Sequence, residues 1–183
     1  MLKVIIGSLI ALVLVWLFAQ SLGLTPEQVE DRVLLAQLNE EAGLAFRRQN
    51  AVQAGVVALG DGLQVQILRE GTGAVPAFDD WISVHYQGWH VDGRLFESTY
   101  RMDLPGSVPV ARTIPAWQQV LTEVPVGTLL RLVVPPQMAY GSGGAGQIGP
   151  NETLIFEIEL LAILDAPVPI ERDALQQPVP GLQ

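Results

Sequence analysis

Apolar and polar positions alternate with period two over Leu63–Leu68 and again over Trp81–Trp89, the pattern of half-buried strands. In the second run Ile82, Val84 and Tyr86 share one face, and Ser83, His85 and Gln87 share the other. Asp92-Gly93 then supplies hairpin chemistry, so Arg94-Leu95-Phe96-Glu97 is expected to return alongside as a partner strand. Two more apolar, β-branched runs, Thr128–Val134 and Thr153–Leu164, flank a stretch that opens with Pro135-Pro136 and places five glycines between Gly141 and Gly149. That density of proline and glycine predicts a long binding loop hung between two strands. Past Tyr100 the chain is expected to be irregular through Pro109, and Pro115–Leu121, opening with proline, is the helix predicted after residue 60. Many strands with one short helix point to an α+β domain, an antiparallel sheet packed on that helix.

Upstream of Gly60-Asp61-Gly62 the period changes to that of a helix. Thr25 is placed as N-cap, Pro26 as the first helical residue and Gln28 as the partner of a capping box. Apolar residues follow at Val29, Val33, Leu34, Leu35, Leu38, Ala42, Ala45 and Phe46. Such a stripe must be covered, either by the domain that follows or by a second copy of the chain. Further upstream, Val4–Ala19 is a run of sixteen residues without a charge, roughly 24 Å of helix at about 1.5 Å per residue. Extended to Leu24 it nears the length of a membrane span, while Ala19-Gln20-Ser21 offers the small residues of a cleavage site. The chain therefore divides into a membrane anchor or cleaved signal (1–24), an amphipathic helix or stalk (25–58), a domain (59–165) and a proline-rich, flexible tail (166–183). Lys3 before the apolar run predicts a single span with its N-terminus inside and the remainder translocated.

Composition narrows the chemistry. Of 183 residues 49% are hydrophobic, ample for a core, and none is cysteine, which removes disulfides, thiol nucleophiles and cysteine-based metal sites. The net charge is −9, with no run of basic residues, so nucleic acid is excluded as a partner. His85 and His90 have opposite parity along one strand, a poor arrangement for a shared metal. Asp79-Asp80 reads as a solvated turn. Gly141-Ser142-Gly143-Gly144 lacks both the strand-to-helix setting of a nucleophile elbow and the lysine of a phosphate loop. What remains is aromatic and apolar: Tyr86, Phe96, Ile114, Trp117, Tyr140, Ile148 and Phe156.

The order and spacing of Val84-His85-Tyr86, Asp92-Gly93-x-x-Phe96, Ile114-Pro115-x-Trp117, Val126-Gly127, Ala139-Tyr140-Gly141, Ile148-x-Pro150-Asn151 and Leu154–Leu161 resemble the FKBP-type peptidyl-prolyl cis-trans isomerases. Residues 39–62 are similar to the helix-to-domain junction of the bacterial Mip-like branch. The resemblance implies a twisted antiparallel sheet wrapped around a short helix and an apolar pocket floored by Trp117. It implies catalytic roles for Tyr86, Phe96, Glu97, Ile114, Trp117 and Tyr140, and substrate contacts from Thr113, Ala145, Ile148 and Phe156. The substrates would be proline-containing polypeptides, with no cofactor, and the site would face the periplasm from the bacterial inner membrane or lie free in it after signal cleavage. A homodimer through residues 25–55 is also implied.

Four positions depart from the family pattern. Glu97 stands where aspartate is common, Met102 where an arginine often pairs with that carboxylate, Gly106 where an aromatic or small residue occurs, and Gly149 where Ile-Pro-Pro has its first proline. The departures keep open a second reading, a weak or inactive chaperone that grips partners with the same pocket.

Overall fold

The computed structural model describes residues 25–101 and 103–165. The apolar segment expected to anchor the chain over 4–24, the tail 166–183 and the Met102 position lie outside them. Among the described residues no helix is long and apolar enough to cross a membrane.

Helix α1 (Pro26–Asn50) begins with the capping box that Thr25 and Gln28 predict. The Thr25 hydroxyl accepts from the Gln28 N–H at 3.3 Å, and the Gln28 carboxamide oxygen accepts from the Thr25 N–H at 2.8 Å. Two amides that a helix start would leave unpaired are thereby satisfied. The helix ends at Asn50, ahead of the expected junction. Within that junction Val56–Ala58 forms an edge strand, β1, antiparallel to β2 (Gln64–Arg69).

The sheet continues with β3 (Trp81–His90), β4 (Leu95–Ser98), β5 (Gly106–Pro109), β6 (Leu129–Val134) and β7 (Leu154–Leu164). Its order is β1-β2-β6-β7-β3-β4, with β5 also on β3, and every pairing is antiparallel. One edge of β3 runs along β7 for its whole length. The other edge is shared, Trp81–Val84 pairing with β5 and Gln87–Trp89 with β4. Register shifts between Ser83 and Val84 and between Gly88 and Trp89 bend β3, and bulges of this kind increase twist. Strand β5 corrects the expectation of irregular chain beyond Tyr100. It escaped notice because glycine and proline bound it, yet it lies on the sheet's margin with β3 as its one partner, where proline is tolerated.

The sheet curls around α2 (Pro115–Leu121), which buries Ala116, Trp117, Val120 and Leu121 against it. Opposite them lie Ile82, Val84, Leu130, Leu132, Phe156, Ile158 and Leu160, all in one core. The face assignment read from the alternation of β3 holds, since Ile82 and Val84 are fully buried and Ser83 and His85 are not.

Helix α1 meets this domain with its small and polar face. Gly43 is its one buried residue, and a Cβ there would lie 2.2 Å from Thr153 Oγ1. Arg47 donates to the Thr153 hydroxyl, Gln64 donates to the Arg47 carbonyl at 2.7 Å, and Asn50 donates to the Gln64 carboxamide oxygen at 2.8 Å. Val33, Leu34, Leu35 and Leu38 stay 45–56% exposed. These members of the apolar stripe are thus not covered by the chain's own domain.

Gly88 marks the tightest point of the aromatic core. A Cβ there would lie 2.5 Å from Phe96 Cζ and 3.2 Å from Phe156 Cε1. Gly88→Ala should therefore destabilise the protein by about 1–3 kcal/mol through overpacking. A urea titration reads this as a lower midpoint at constant slope; an unchanged midpoint would mean that the two rings yield freely.

Candidate active site

Trp117 owes its position to the start of α2. Ile114 is the N-cap and Pro115, with φ already locked, opens the first turn. The preceding turn is tied down by Gln118, whose Nε2 donates to the Thr113 carbonyl at 2.7 Å and the Ala111 carbonyl at 3.1 Å. The Thr113 hydroxyl donates to the Val110 carbonyl at 2.7 Å. The backbone approaching Trp117 is thus fixed before the ring is packed.

Two rings then meet Trp117 edge-on. Tyr86 from β3 has its centroid 5.0 Å away at 84°, and Phe156 from β7 lies 5.5 Å away at 85°. Phe96 from β4 continues the series, meeting Phe156 at 5.8 Å and 87°. Such T-shaped contacts place a positive ring edge on a negative ring face. The indole is 6% exposed, and its buried N–H has no protein acceptor among the described residues.

Above the indole lies a cavity of about 450 Å³. Tyr86, Glu97, Thr113, Ile114, Trp117, Tyr140 and Phe156 line it, together with Val84, Gly106, Val108, Arg112, Pro115 and Ala139. Seven of the ten residues singled out from the sequence are therefore brought together. Phe96, Ala145 and Ile148 do not line the cavity. Phe96 stands behind Phe156, whereas Ala145 and Ile148 pair with each other through 2.8 and 2.9 Å backbone bonds, and Ile148 is buried in the core. Conversely, Val108 and Arg112 were missed, because Val108 reaches the cavity through the pairing of β5 with β3 and Arg112 through the helical turn Val110–Arg112 that follows. The one signal for Arg112 was its place beside Thr113-Ile114.

Two hydrogen-bond donors border this apolar space. Tyr140 carries its phenol at the rim, 38% exposed, and the Ile114 N–H has no acceptor among the described residues. Burial and then the Glu97 carboxylate push the Tyr86 phenol well above its ordinary range, and the same two causes raise Tyr140. Both phenols thus stay protonated donors. Among the described residues Glu97 makes no ion pair. The histidines serve apart from the cavity and from each other. His85 bonds Thr99 at 2.9 Å and stacks on Tyr100, while buried His90 pairs with Glu152 at 2.5 Å. No group of three or more acidic or histidine side chains among the described residues could hold a metal.

A family model described as FKBP-type peptidyl-prolyl cis-trans isomerase matches residues 73–161. The crystal structure of FkpA from Escherichia coli superposes with a TM-score of 0.69 at 31% identity, covering 79% of this chain and 75% of that one. This chain belongs to the FKBP-type peptidyl-prolyl cis-trans isomerase family. The peptidyl-prolyl cis-trans isomerase Mip of Coxiella burnetii is 40% identical to it over 126 residues, 68% of this chain and 55% of that protein. The outer membrane protein MIP of Legionella longbeachae is 40% identical over 132 residues, 72% of this chain and 57% of that protein. This FKBP chain thus spans little more than half the length of these curated relatives.

A phenol whose value is raised on folding keeps its proton while the unfolded chain loses it. The stability it contributes is intact below about pH 10 and is lost as pH climbs beyond that value. Tyr86, Tyr100 and Tyr140 are all raised, Tyr100 by burial and by Glu159 and Glu157 rather than Glu97. In Glu97→Gln, an alkaline tyrosinate absorbance titration should show two phenols ionising earlier and the third unchanged. Identical curves for variant and parent would mean that Glu97 exerts no charge on the cavity.

Proposed function

We propose that the chain is a peptidyl-prolyl cis-trans isomerase that takes the proline ring of a substrate polypeptide onto Trp117. The observation that carries this reading is an apolar cavity floored by an indole and bordered by two unspent donors, the Tyr140 phenol and the Ile114 N–H. Rotation about an X-Pro bond faces a barrier of about 18–20 kcal/mol set by amide resonance. The planar imide is more charge-separated than the twisted one, so moving it from water to an apolar pocket destabilises the ground state relative to the transition state. Tyr140 and the Ile114 N–H donate to substrate carbonyls and hold the peptide while the bond turns. Tyr86 and Phe156 keep the floor rigid, and Thr113 shapes the cavity mouth. No bond is made or broken and no proton is transferred, which agrees with phenols held in their neutral form.

In this reading residues 1–24 anchor the chain in the inner membrane or direct its export, residues 25–58 include the helical stalk, and 59–165 form the isomerase domain in the periplasm. The relative named as an outer membrane protein supports an envelope setting. Two copies pair through the Val33, Leu34, Leu35 and Leu38 stripe, which the chain's own domain leaves exposed. One observation favours a weaker catalyst acting mainly as a chaperone: Glu97, at the cavity, has no cationic partner among the described residues.

A protease-free isomerisation assay on an X-Pro peptide separates the two readings. The parent chain should accelerate the reaction, and Trp117→Ala, checked for folding by circular dichroism, should reduce kcat/KM at least about tenfold. A folded parent that leaves the rate at background while suppressing aggregation would make the protein a chaperone. The stripe has its own measurement. Sedimentation should report a dimer, and the double change Leu34→Glu with Leu38→Glu should give a monomer; a parent that is monomeric at micromolar concentration would remove the pairing.

A further inference from the structure

The segment that follows Tyr140 is not held by the domain alone. From α1, Asn39 donates through Nδ2 to the Pro150 carbonyl at 2.8 Å, and Arg32 donates to the Gly143 carbonyl. Both acceptors belong to the loop between Tyr140, which lines the cavity, and Asn151. We propose that α1 is a positioning element for the proline pocket, with Asn39 and Arg32 strapping this loop in place and Gly149 forming the notch that admits Asn39. The proposal rests on the isomerase reading and adds to it a part of the chain outside the cavity.

Gly149 explains why the strap fits. A Cβ on it would lie 2.8 Å from Asn39 Nδ2 and 3.4 Å from Glu152 Oε2. Its N–H donates to that Glu152 oxygen at 2.7 Å, while the other oxygen pairs with Nδ1 of His90 at 2.5 Å. A proline here would remove the donor and fill the space that Asn39 enters. The end of the loop is therefore gripped from both sides, by α1 outside and by the buried His90–Glu152 pair beneath. Its base is closed by the Asn151 N–H donating to the Gly141 carbonyl at 2.9 Å. Because the loop reaches the cavity through Tyr140, a donor at the rim and not part of the floor, loosening it weakens substrate binding more than the turning step.

The test uses the full chain with an X-Pro peptide, measuring KM and kcat separately, and with amide hydrogen exchange at Ala145, Ile148 and Asn151. Asn39→Asp is isosteric and replaces the donor with an oxygen that opposes the Pro150 carbonyl. Asn39→Asp, Asn39→Ala and Gly149→Ala should each raise KM about fivefold, the effect of losing one partly buried hydrogen bond, with kcat nearly unchanged and faster exchange at the three amides. Combining Asn39→Ala with Gly149→Ala should be no worse than either alone, since both remove one contact. Parental KM and exchange in Asn39→Asp, or losses that multiply in the double variant, would overturn the strap. A folded parent without isomerase activity would instead overturn the isomerase reading and with it the role in binding, and exchange would still decide whether the helix holds the loop.

Discussion

The edge-on packing of Tyr86 and Phe156 against Trp117 is the contact on which the rest of the site depends. It joins three elements, β3, β7 and α2, and it is formed where bulged β3 has curled the sheet around the helix. Face-to-face stacking would have left the indole free to slide; two perpendicular rings lock it from two directions. The cavity is the space left above this locked floor. Each further feature is fitted to it: Gly88 gives Phe96 room to support Phe156, and the Gln118 bonds fix the turn that delivers Ile114.

Helix α1 presents two different faces. Its small and polar positions, Asn39, Gly43, Arg47 and Asn50, face the domain and make directional bonds there. Its aliphatic residues Val33, Leu34, Leu35 and Leu38 stay exposed. Helical spacing made the stripe visible but left open whether the following domain or a second copy covers it. Gly43 decides against the domain for its exposed members. Only a residue without a side chain lets the helix backbone approach Thr153 so closely, and that approach decides which side of the helix faces in.

Much of the architecture was legible because its determinants are local. Strand faces follow from alternation in Trp81–Trp89, the hairpin follows from Asp92-Gly93, the helix starts follow from Thr25-Pro26 and Pro115, and Gly93 takes the positive φ of 87° that its turn demands. The ordered short motifs carried the family, and with it seven of the residues around the cavity. Phe96 packs on Phe156 and does not itself line the cavity, since the spacing of motifs cannot separate an aromatic that lines the space from one that supports its wall.

By itself, then, the sequence determined the α+β class, the faces of the strands, the helix caps and the aromatic set from which the floor is made. Tertiary structure alone decided that β5 joins the sheet, that Arg112 reaches the cavity, that Ile148 turns into the core, and that α1 grips the loop. The physical reason is separation along the chain. Arg32 and Gly143, like Asn39 and Pro150, are 111 residues apart, and a hydrogen bond across that distance leaves no periodicity in the residues that make it. It exists only once the sheet has curled and brought the loop under the helix.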